Sequence, residues 1–387
     1  MAKKYRADQV GSFLRPAEVK EAHAARANGT LSDDRVREIE DAAILRLLDM
    51  QRATKIEVLS DGEFRRPGWA SGFQAAVDGY VEGTPAVSLN IQVPGGGTVD
   101  RASVPGSGSN AFAGFRRVIG GKLVSKRRIT AHEAGFLQQH ANGQPFKATM
   151  PAVSYVVARA YNPEITGRVY PTHMDVLRDA AGIVHGEIAA LIGEGVPYIQ
   201  LDNPHYTDYL EEGLRDRWQA IGIDPRDALK NDIEADNLCL RGHNRANVTL
   251  AMHLCRGNAG RGQAATAGFH KTGGYDWVAE QLFSSLEVDT FLLEYDSDRS
   301  GSFEPLRYMP KGKIVVLGLV TTKSGELESA DDVRRRIDEA AKYVALDDLC
   351  LSPQCGFAST EAGNPLTEDQ ERRKLELVVE VARQVWG

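Results

Sequence analysis

Val248-Thr249-Leu250-Ala251-Met252-His253-Leu254-Cys255 is a short apolar run that ends in a histidine and a cysteine. Such a run is typical of a strand buried on both faces of a parallel sheet. Residues two apart in a strand point to the same side, so the side chains of His253 and Cys255 would face one point. Neutral imidazole and thiolate are ligands that Zn²⁺ prefers. Taken alone the pair is weak evidence, because a buried thiol beside a histidine satisfied within the core is the more common arrangement.

Composition narrows the class of protein. The chain has 387 residues, of which 42% are hydrophobic, sufficient for a large core and normal for a decorated α/β barrel. A formal charge of −7 argues against a surface for nucleic acid or anionic membrane. No window approaches the roughly 18 apolar residues of a membrane span, and the N-terminal residues lack the apolar core of a signal peptide. Four cysteines are too few for a disulfide framework, so we expect a reduced, cytoplasmic, soluble protein.

Eight apolar runs close in polar or glycine-containing turns, and amphipathic helical patterns separate most of them. The runs close at residues 10–13, 58–63, 147–150, 199–202, 251–255, 291–294, 315–318 and 351–355. Eight such units predict one (β/α)8 TIM barrel over residues 1–387, with its chemistry at the C-terminal ends of the strands. A doubly wound open sheet is the alternative, but no G-x-G-x-x-G motif follows the first run, which removes the usual dinucleotide argument for it.

Residues 83–128 interrupt this alternation of strand and helix patterns. Residues 87–93 alternate like a strand, a Pro-Gly-rich turn follows, and residues 118–124 could form a returning strand. Residues 103–114 between them are rich in Gly, Ser and Ala. We therefore expect a β-hairpin insertion with a mobile tip between the second and third barrel strands. A lid, a homodimerisation arm and a tolerated surface insertion stay open as its role.

Two further strand ends supply partners for the opening pair. Glu294 follows three apolar residues, where a carboxylate is costly to bury unless it is paired or bound to metal. Cys355 closes the eighth run and is followed by a glycine, which allows a tight turn and access to the sulfur. The remaining thiols, Cys239 and Cys350, fit core positions. With two thiolates, such a zinc site would deprotonate a bound substrate thiol near neutral pH, which suits alkylation of sulfur rather than activation of water.

These segments resemble the catalytic half of cobalamin-independent methionine synthase. The similarity runs across nearly the whole chain, from Val10-Gly11-Ser12-Phe13 to Cys355-Gly356, and is closest to the short, single-barrel members of the family. It implies a zinc-dependent S-methyltransferase that converts homocysteine to methionine. The zinc ligands implied by the resemblance are His253, Cys255, Glu294 and Cys355.

The same resemblance implies a pocket for an amino-acid thiol. Val10 and Ser12 match positions that hold homocysteine, while Glu63 and Asp202 match the family's two acidic contacts. Two carboxylates beside a pocket would bind an α-ammonium through charge-assisted hydrogen bonds. In the competing interpretation, Glu63 pairs with a neighbouring arginine and Asp202 caps the following helix.

Two departures concern the methyl donor. The synthases carry Asp-x-His after their seventh strand, and this histidine is held to protonate the folate leaving group, but residues 315–323 contain no histidine. The third strand region offers Val156-Val157-Ala158 where the family stacks an aromatic on the pterin. We therefore predict no catalytic residue beyond the zinc site.

The alkyl donor stays open between methyltetrahydrofolate, a methylated corrinoid protein and an electrophile such as an epoxide. The epoxyalkane:coenzyme M transferases belong to the same family, and their sulfonate-bearing thiol would call for a free cation in the pocket. Arg15, Arg65 and Arg66 are the available candidates, although each could instead be a surface charge or a partner of a nearby acid. A non-catalytic protein with a purely structural zinc site is a further alternative.

Overall fold

Ten strands and the helices between them make up the described chain. This computed structural model describes residues 3–86, 90–93, 97–100, 117–258 and 271–387. The strands are β1 Val77–Glu82, β2 Asn90–Val93, β3 Gly97–Asp100, β4 Arg117–Ser125, β5 Lys147–Pro151, β6 Tyr198–Asp202, β7 Thr249–Leu254, β8 Thr290–Glu294, β9 Ile314–Val320 and β10 Leu349–Pro353. The α-helices are α1 Ala17–Ala27, α2 Asp33–Thr54, α3 Ser71–Ala76, α4 Ala131–His140, α5 Val153–Ala158, α6 Pro163–Thr166, α7 His173–Gly193, α8 His205–Asp208, α9 Glu212–Ala220, α10 Pro225–Leu240, α11 Asp276–Ser285, α12 Ala330–Ala340 and α13 Glu368–Trp386.

The central sheet contains β5 to β10, which lie side by side in chain order and pair in parallel. Every residue of these six strands is buried, as expected for strands covered on both faces. Two extended segments, residues 5–13 and 56–63, lie between β10 and β5. Parallel bridges join Ala7 to Leu351, Ser12 to Gly62, and Leu59 to Phe146. The predicted (β/α)8 TIM barrel is confirmed, with its first two strands reduced to these bridged segments.

Helices cover the outside of the barrel, and local sequence determines where several of them begin. Reciprocal capping boxes start α7 at Thr172 and α13 at Thr367, and Asp224 caps α10 immediately before a proline. The helices alternate with the barrel strands, so the loops that follow the strands gather at one rim. In the described ranges, no helix combines the length and apolar character needed to cross a bilayer.

The hairpin insertion between the second extended segment and β5 is also confirmed. β1 pairs antiparallel with β4, and β2 pairs antiparallel with β3. The insertion's first strand starts at Val77, ahead of the expected residue 83, and the returning strand extends one residue beyond residues 118–124 at each end. Of the outgoing strand predicted over residues 87–93, residues 90–93 form β2, whereas residues 87–89 lie outside the described part, as do residues 103–114. The domain boundaries stay predictions.

Candidate metal centre and its cavity

Four potential metal ligands meet at the C-terminal rim of the barrel. His253 lies near the end of β7, Cys255 directly after β7, Glu294 at the end of β8, and Cys355 shortly after β10. Their donor atoms all lie within 4.8 Å of one another. The two sulfurs are 3.5 Å apart, and Nε2 of His253 is 3.8 Å from Oε1 of Glu294. One nitrogen, two sulfurs and one oxygen form a donor set that suits Zn²⁺.

The ring of His253 is held from one side only. Its Nδ1 lies 3.0 Å from Oδ1 of Asp202, whereas the buried Nε2 has no hydrogen-bond partner among the described residues. Burial lowers the pKa of His253, but the hydrogen bond and charge of Asp202 outweigh it and raise that pKa to about 9. A carboxylate on one ring nitrogen is the usual support for a histidine that ligates metal through the other. An unpartnered buried nitrogen facing three further donors fits a metal ligand.

The two sulfurs lie within hydrogen-bond distance of each other. A hydrogen bond from the Cys355 thiol holds the pKa of Cys255 below its ordinary value, and the Gly257 N–H, 3.4 Å away, adds to the effect. The same contact, followed by burial, raises the pKa of Cys355 well above its ordinary value. Cys255 is therefore the more readily deprotonated of the two thiols, and thiolate is the form that binds metal.

Glu294 is fully buried and has partners of its own. Its Oε1 accepts a 2.8 Å hydrogen bond from the backbone N–H of Arg256, and its Oε2 accepts one of 3.2 Å from the guanidinium of Arg299. The ammonium of Lys323 is 3.9 Å from the same Oε2. These groups neutralise the carboxylate independently of a metal, so it could leave a metal without becoming an unpaired buried charge.

A cavity of about 310 Å³ adjoins these donors. All four predicted pocket residues line it, namely Val10, Ser12, Glu63 and Asp202, together with His253, Cys255 and Cys355. Its remaining lining residues, which sequence reasoning missed, are Trp69, Pro204, Gly356 and Ser359. Each of these four lies in a loop that follows a predicted strand end, and that position is the signal that could have identified them. The ring of Trp69 also contacts the ring of Tyr155, with centroids 4.7 Å apart.

Backbone conformation positions Glu63 at this cavity. Both Gly62 and Glu63 are left-handed, with φ of 69° and 59°, and a non-glycine residue in this region needs support from its surroundings. Oδ1 of Asp61 accepts a 2.9 Å hydrogen bond from the Glu63 N–H, and the Arg15 guanidinium donates to the Glu63 carbonyl at 2.9 Å. The strained conformation is thereby held from both sides.

The carboxyl group of Glu63 is only half satisfied. Its Oε1 accepts a 2.9 Å hydrogen bond from the Thr149 hydroxyl, whereas the buried Oε2 has no hydrogen-bond partner in the part of the chain that is described. Burial raises the pKa of Glu63 to about 7; Arg66 opposes this rise and the Asp202 carboxylate adds to it. A buried carboxyl oxygen of this kind is suited to accept a hydrogen bond from a ligand.

The three arginines proposed for a sulfonate have other partners. The partners are Glu133 and Thr149 for Arg66, Glu40 and Asp41 for Arg65, and the carbonyls of Glu63, Arg66, Ala358 and Thr360 for Arg15. Arg66 also lies 3.7 Å from Oε1 of Glu63. Asp202 does not cap the following helix, because α8 has no side-chain cap; Asn203 instead accepts a hydrogen bond from the His205 N–H.

Known proteins share this architecture. Residues 171–384 match the family model described as "Cobalamin-independent synthase, Catalytic domain". YxjH of Bacillus subtilis, an uncharacterized protein, is 36% identical over 99% of this chain and 95% of its own length. The methionine synthase of Pyrococcus abyssi is 20% identical over 90% of this chain and 85% of its own. A crystal structure from Listeria monocytogenes, provisionally named a vitamin-B12 independent methionine synthase, has a TM-score of 0.73 and 26% identity, and the match covers 100% of this chain and 99% of that one.

Proposed function

This chain belongs to the cobalamin-independent methionine synthase family, and we propose on that premise that it is a zinc-dependent methyltransferase that forms methionine from homocysteine. One observation carries the proposal. Among the described residues, the buried Nε2 of His253 has no hydrogen-bond partner and faces two sulfurs and a carboxylate, and an oxygen of Glu63 at the adjoining cavity also has none. Nε2 of His253 is suited to bind a metal, and the carboxyl oxygen of Glu63 is suited to accept a hydrogen bond from a ligand.

His253, Cys255, Glu294 and Cys355 would hold the zinc. A zinc ion bound there supplies positive charge that favours the deprotonated, nucleophilic form of a substrate thiol. Asp202 fixes the ring of His253, and the Arg256 N–H and the Arg299 side chain hold Glu294, so its carboxylate would stay paired without the metal. Glu294 is therefore the protein ligand that we expect homocysteine to displace.

The pocket favours an amino-acid thiol over coenzyme M. The carboxyl groups of Glu63 and Asp202 both line the cavity, where they would accept hydrogen bonds from an α-ammonium, and the hydroxyl of Ser12 would bind the α-carboxylate. A sulfonate would need an uncommitted cation. Arg15 donates to buried backbone carbonyls and Arg66 pairs with a buried carboxylate. Arg65 pairs with two acids of α2.

The reaction is tested with purified protein, zinc and homocysteine, comparing methyltetrahydrofolate, methylcobalamin, and an epoxide with coenzyme M. Transfer to homocysteine supports the proposal, and activity only with coenzyme M supports the transferase alternative.

X-ray absorption separates a structural zinc site from a catalytic one. Homocysteine should add a sulfur to the metal and remove an oxygen, whereas coordination unchanged by every thiol would favour the structural role. We propose a cytoplasmic location, where such thiols stay reduced.

Glu63→Gln tests the acceptor assignment. It should weaken homocysteine binding to the zinc-loaded protein by roughly 1.5–3 kcal/mol, because an acceptor for the α-ammonium becomes an uncharged amide. Coenzyme M binding should be unaffected or improved. Glu371→Gln is the matched control: Glu371 is also a buried carboxyl, on α13, where it accepts a hydrogen bond from the Leu14 N–H. Equal affinity of wild type and Glu63→Gln for homocysteine would remove Glu63 from the pocket assignment.

A further inference from the structure

A hydrogen-bonded chain of buried side chains runs beneath the cavity and ends at His253. Its central member is Gln200, in the middle of β6, which is fully buried. The Gln200 Nε2 donates to the carbonyl of Val10 at 2.6 Å and to Oδ1 of Asp202 at 2.8 Å. Its Oε1 accepts a 2.9 Å hydrogen bond from Nζ of Lys147. The amide thus contacts two residues that line the cavity, and Gln200 is not itself among the lining residues.

Only one orientation of this amide satisfies its surroundings. The Val10 carbonyl and the Asp202 carboxylate are both acceptors, so the NH₂ group must face them. With the amide reversed, its oxygen would lie against two other oxygens and its NH₂ group against the Lys147 donor. The orientation is therefore determined by the network, and Gln200 supplies both of its N–H groups to this rim of the pocket.

Lys147 anchors the other end of the chain. Its Nζ is 2.8 Å from Oδ1 of Asp8 and also donates to the carbonyl of Gln9. The hydroxyl of Tyr198 donates to the second oxygen of Asp8 at 2.9 Å. Because Lys147, Asp8 and Tyr198 are all buried in the barrel interior, the anchor has little freedom to move.

We propose that Gln200 is a positioning residue that aligns the metal site and the acceptor pocket together. It fixes the Asp202 carboxylate that holds His253, and with its second N–H it fixes the Val10 carbonyl at the cavity. This inference rests on the proposed function. It also assigns a joint role to a residue whose side-chain hydrogen bonds, within the described chain, go to Val10, Asp202 and Lys147 rather than to the candidate ligands. Loss of the amide should weaken zinc and homocysteine binding in parallel, because Asp202 serves both.

Gln200→Met tests this role, since methionine has a similar volume and neither donates nor accepts as an amide does. Zinc affinity is measured by competition with a chelator, and L-homocysteine affinity of the zinc-loaded protein by calorimetry. Both should weaken about tenfold, at the lower end of what loss of an outer-sphere hydrogen bond costs a metal site. Tyr198→Phe is the control, because it removes a hydrogen bond from the same buried network without touching Asp202. Both of its affinities should stay within about twofold of wild type.

The outcomes separate the two proposals. Wild-type protein that binds neither zinc nor homocysteine overturns the proposed function, and the positioning role with it. Wild-type protein that binds both, with Gln200→Met unchanged or with Tyr198→Phe equally weakened, overturns the positioning role alone. If Gln200→Met does not fold by circular dichroism, the same affinities are measured on Gln200→Asn. Its shorter amide cannot reach Lys147 and Asp202 together, so it should also be weakened, and wild-type affinities would overturn the role.

Discussion

Two buried histidines, His23 and His253, both lie beside carboxylates but differ in whether a ring nitrogen remains available to bind a metal. His23, on α1, has both ring nitrogens occupied: Nδ1 lies 2.7 Å from Glu361 and Nε2 lies 2.8 Å from Glu40. His253, at the barrel rim, has one nitrogen held by Asp202, and the other has no hydrogen-bond partner in the described part of the chain. Both nitrogens of the first ring are therefore engaged, whereas one nitrogen of the second is free to bind a metal as far as the described residues show. What distinguishes His253 as a candidate ligand is that its unpartnered nitrogen lies beside two sulfurs and a carboxylate.

The pKa values do not make this distinction. Burial lowers the pKa of His23, but its hydrogen bonds to Glu361 and Glu40 outweigh burial, so that pKa is raised, as that of His253 is. Both raised pKa values result from carboxylates close to the histidine ring. Geometry separates the two sites because it shows which nitrogen remains without a partner.

The largest expected difference between the two histidines concerns zinc content. His253→Gln should reduce bound zinc from about one per chain to nearly none, because it removes the one nitrogen ligand of the set. His23→Gln should leave the zinc content unchanged. Elemental analysis of the purified variants measures this directly. Cys355→Ser, a second ligand change, should lose zinc as well, and Cys350→Ser, a buried thiol on β10, should not. Zinc retained by His253→Gln would break the comparison.

The second prediction concerns the contribution of His23 to stability. His23→Gln should lower the free energy of unfolding by about 3 kcal/mol, because it removes one of the two cationic partners of the buried Glu40. The Arg65 guanidinium, 3.5 Å from Glu40, keeps this loss at the lower end of the range for broken buried pairs. Urea denaturation of both proteins measures it.

The pH dependence of this loss follows from the raised pKa of His23. A group with a raised folded-state pKa stabilises the fold fully below its ordinary value, here 6.5, and loses that contribution as pH rises through the raised value. The stability gap between wild type and His23→Gln should therefore be widest at about pH 6 and should narrow at alkaline pH. A gap that widens as the pH rises would contradict the charged pairing of His23.

The two histidines also show which parts of the fold and of the site can be predicted from sequence. Apolar runs with polar ends predicted the barrel, and the meeting of parallel strand ends explains why residues as distant as Cys255 and Cys355 share one rim. The partner of His23 is different: Glu361 lies 338 positions away, in a loop with no periodic pattern, so no local signal pointed to it. Gln200 had a weak signal, a polar residue inside the apolar run of β6, but its role depends on which side chains face it across the barrel.

The smallest effect is expected at the outer contact of His23. Glu361→Gln should lower the free energy of unfolding by less than about 1 kcal/mol, because the Glu361 side chain is 32% exposed and a glutamine oxygen can still accept from Nδ1. The hydrogen bond from His23 holds the pKa of Glu361 below its ordinary value of 4.5, so this contribution is present above pH 4.5 and is lost as pH falls through the lowered value. Urea denaturation at pH 6 should therefore detect the small difference. A loss as large as that of His23→Gln would mean that Glu361, rather than the buried Glu40, provides the main stabilising partner of His23.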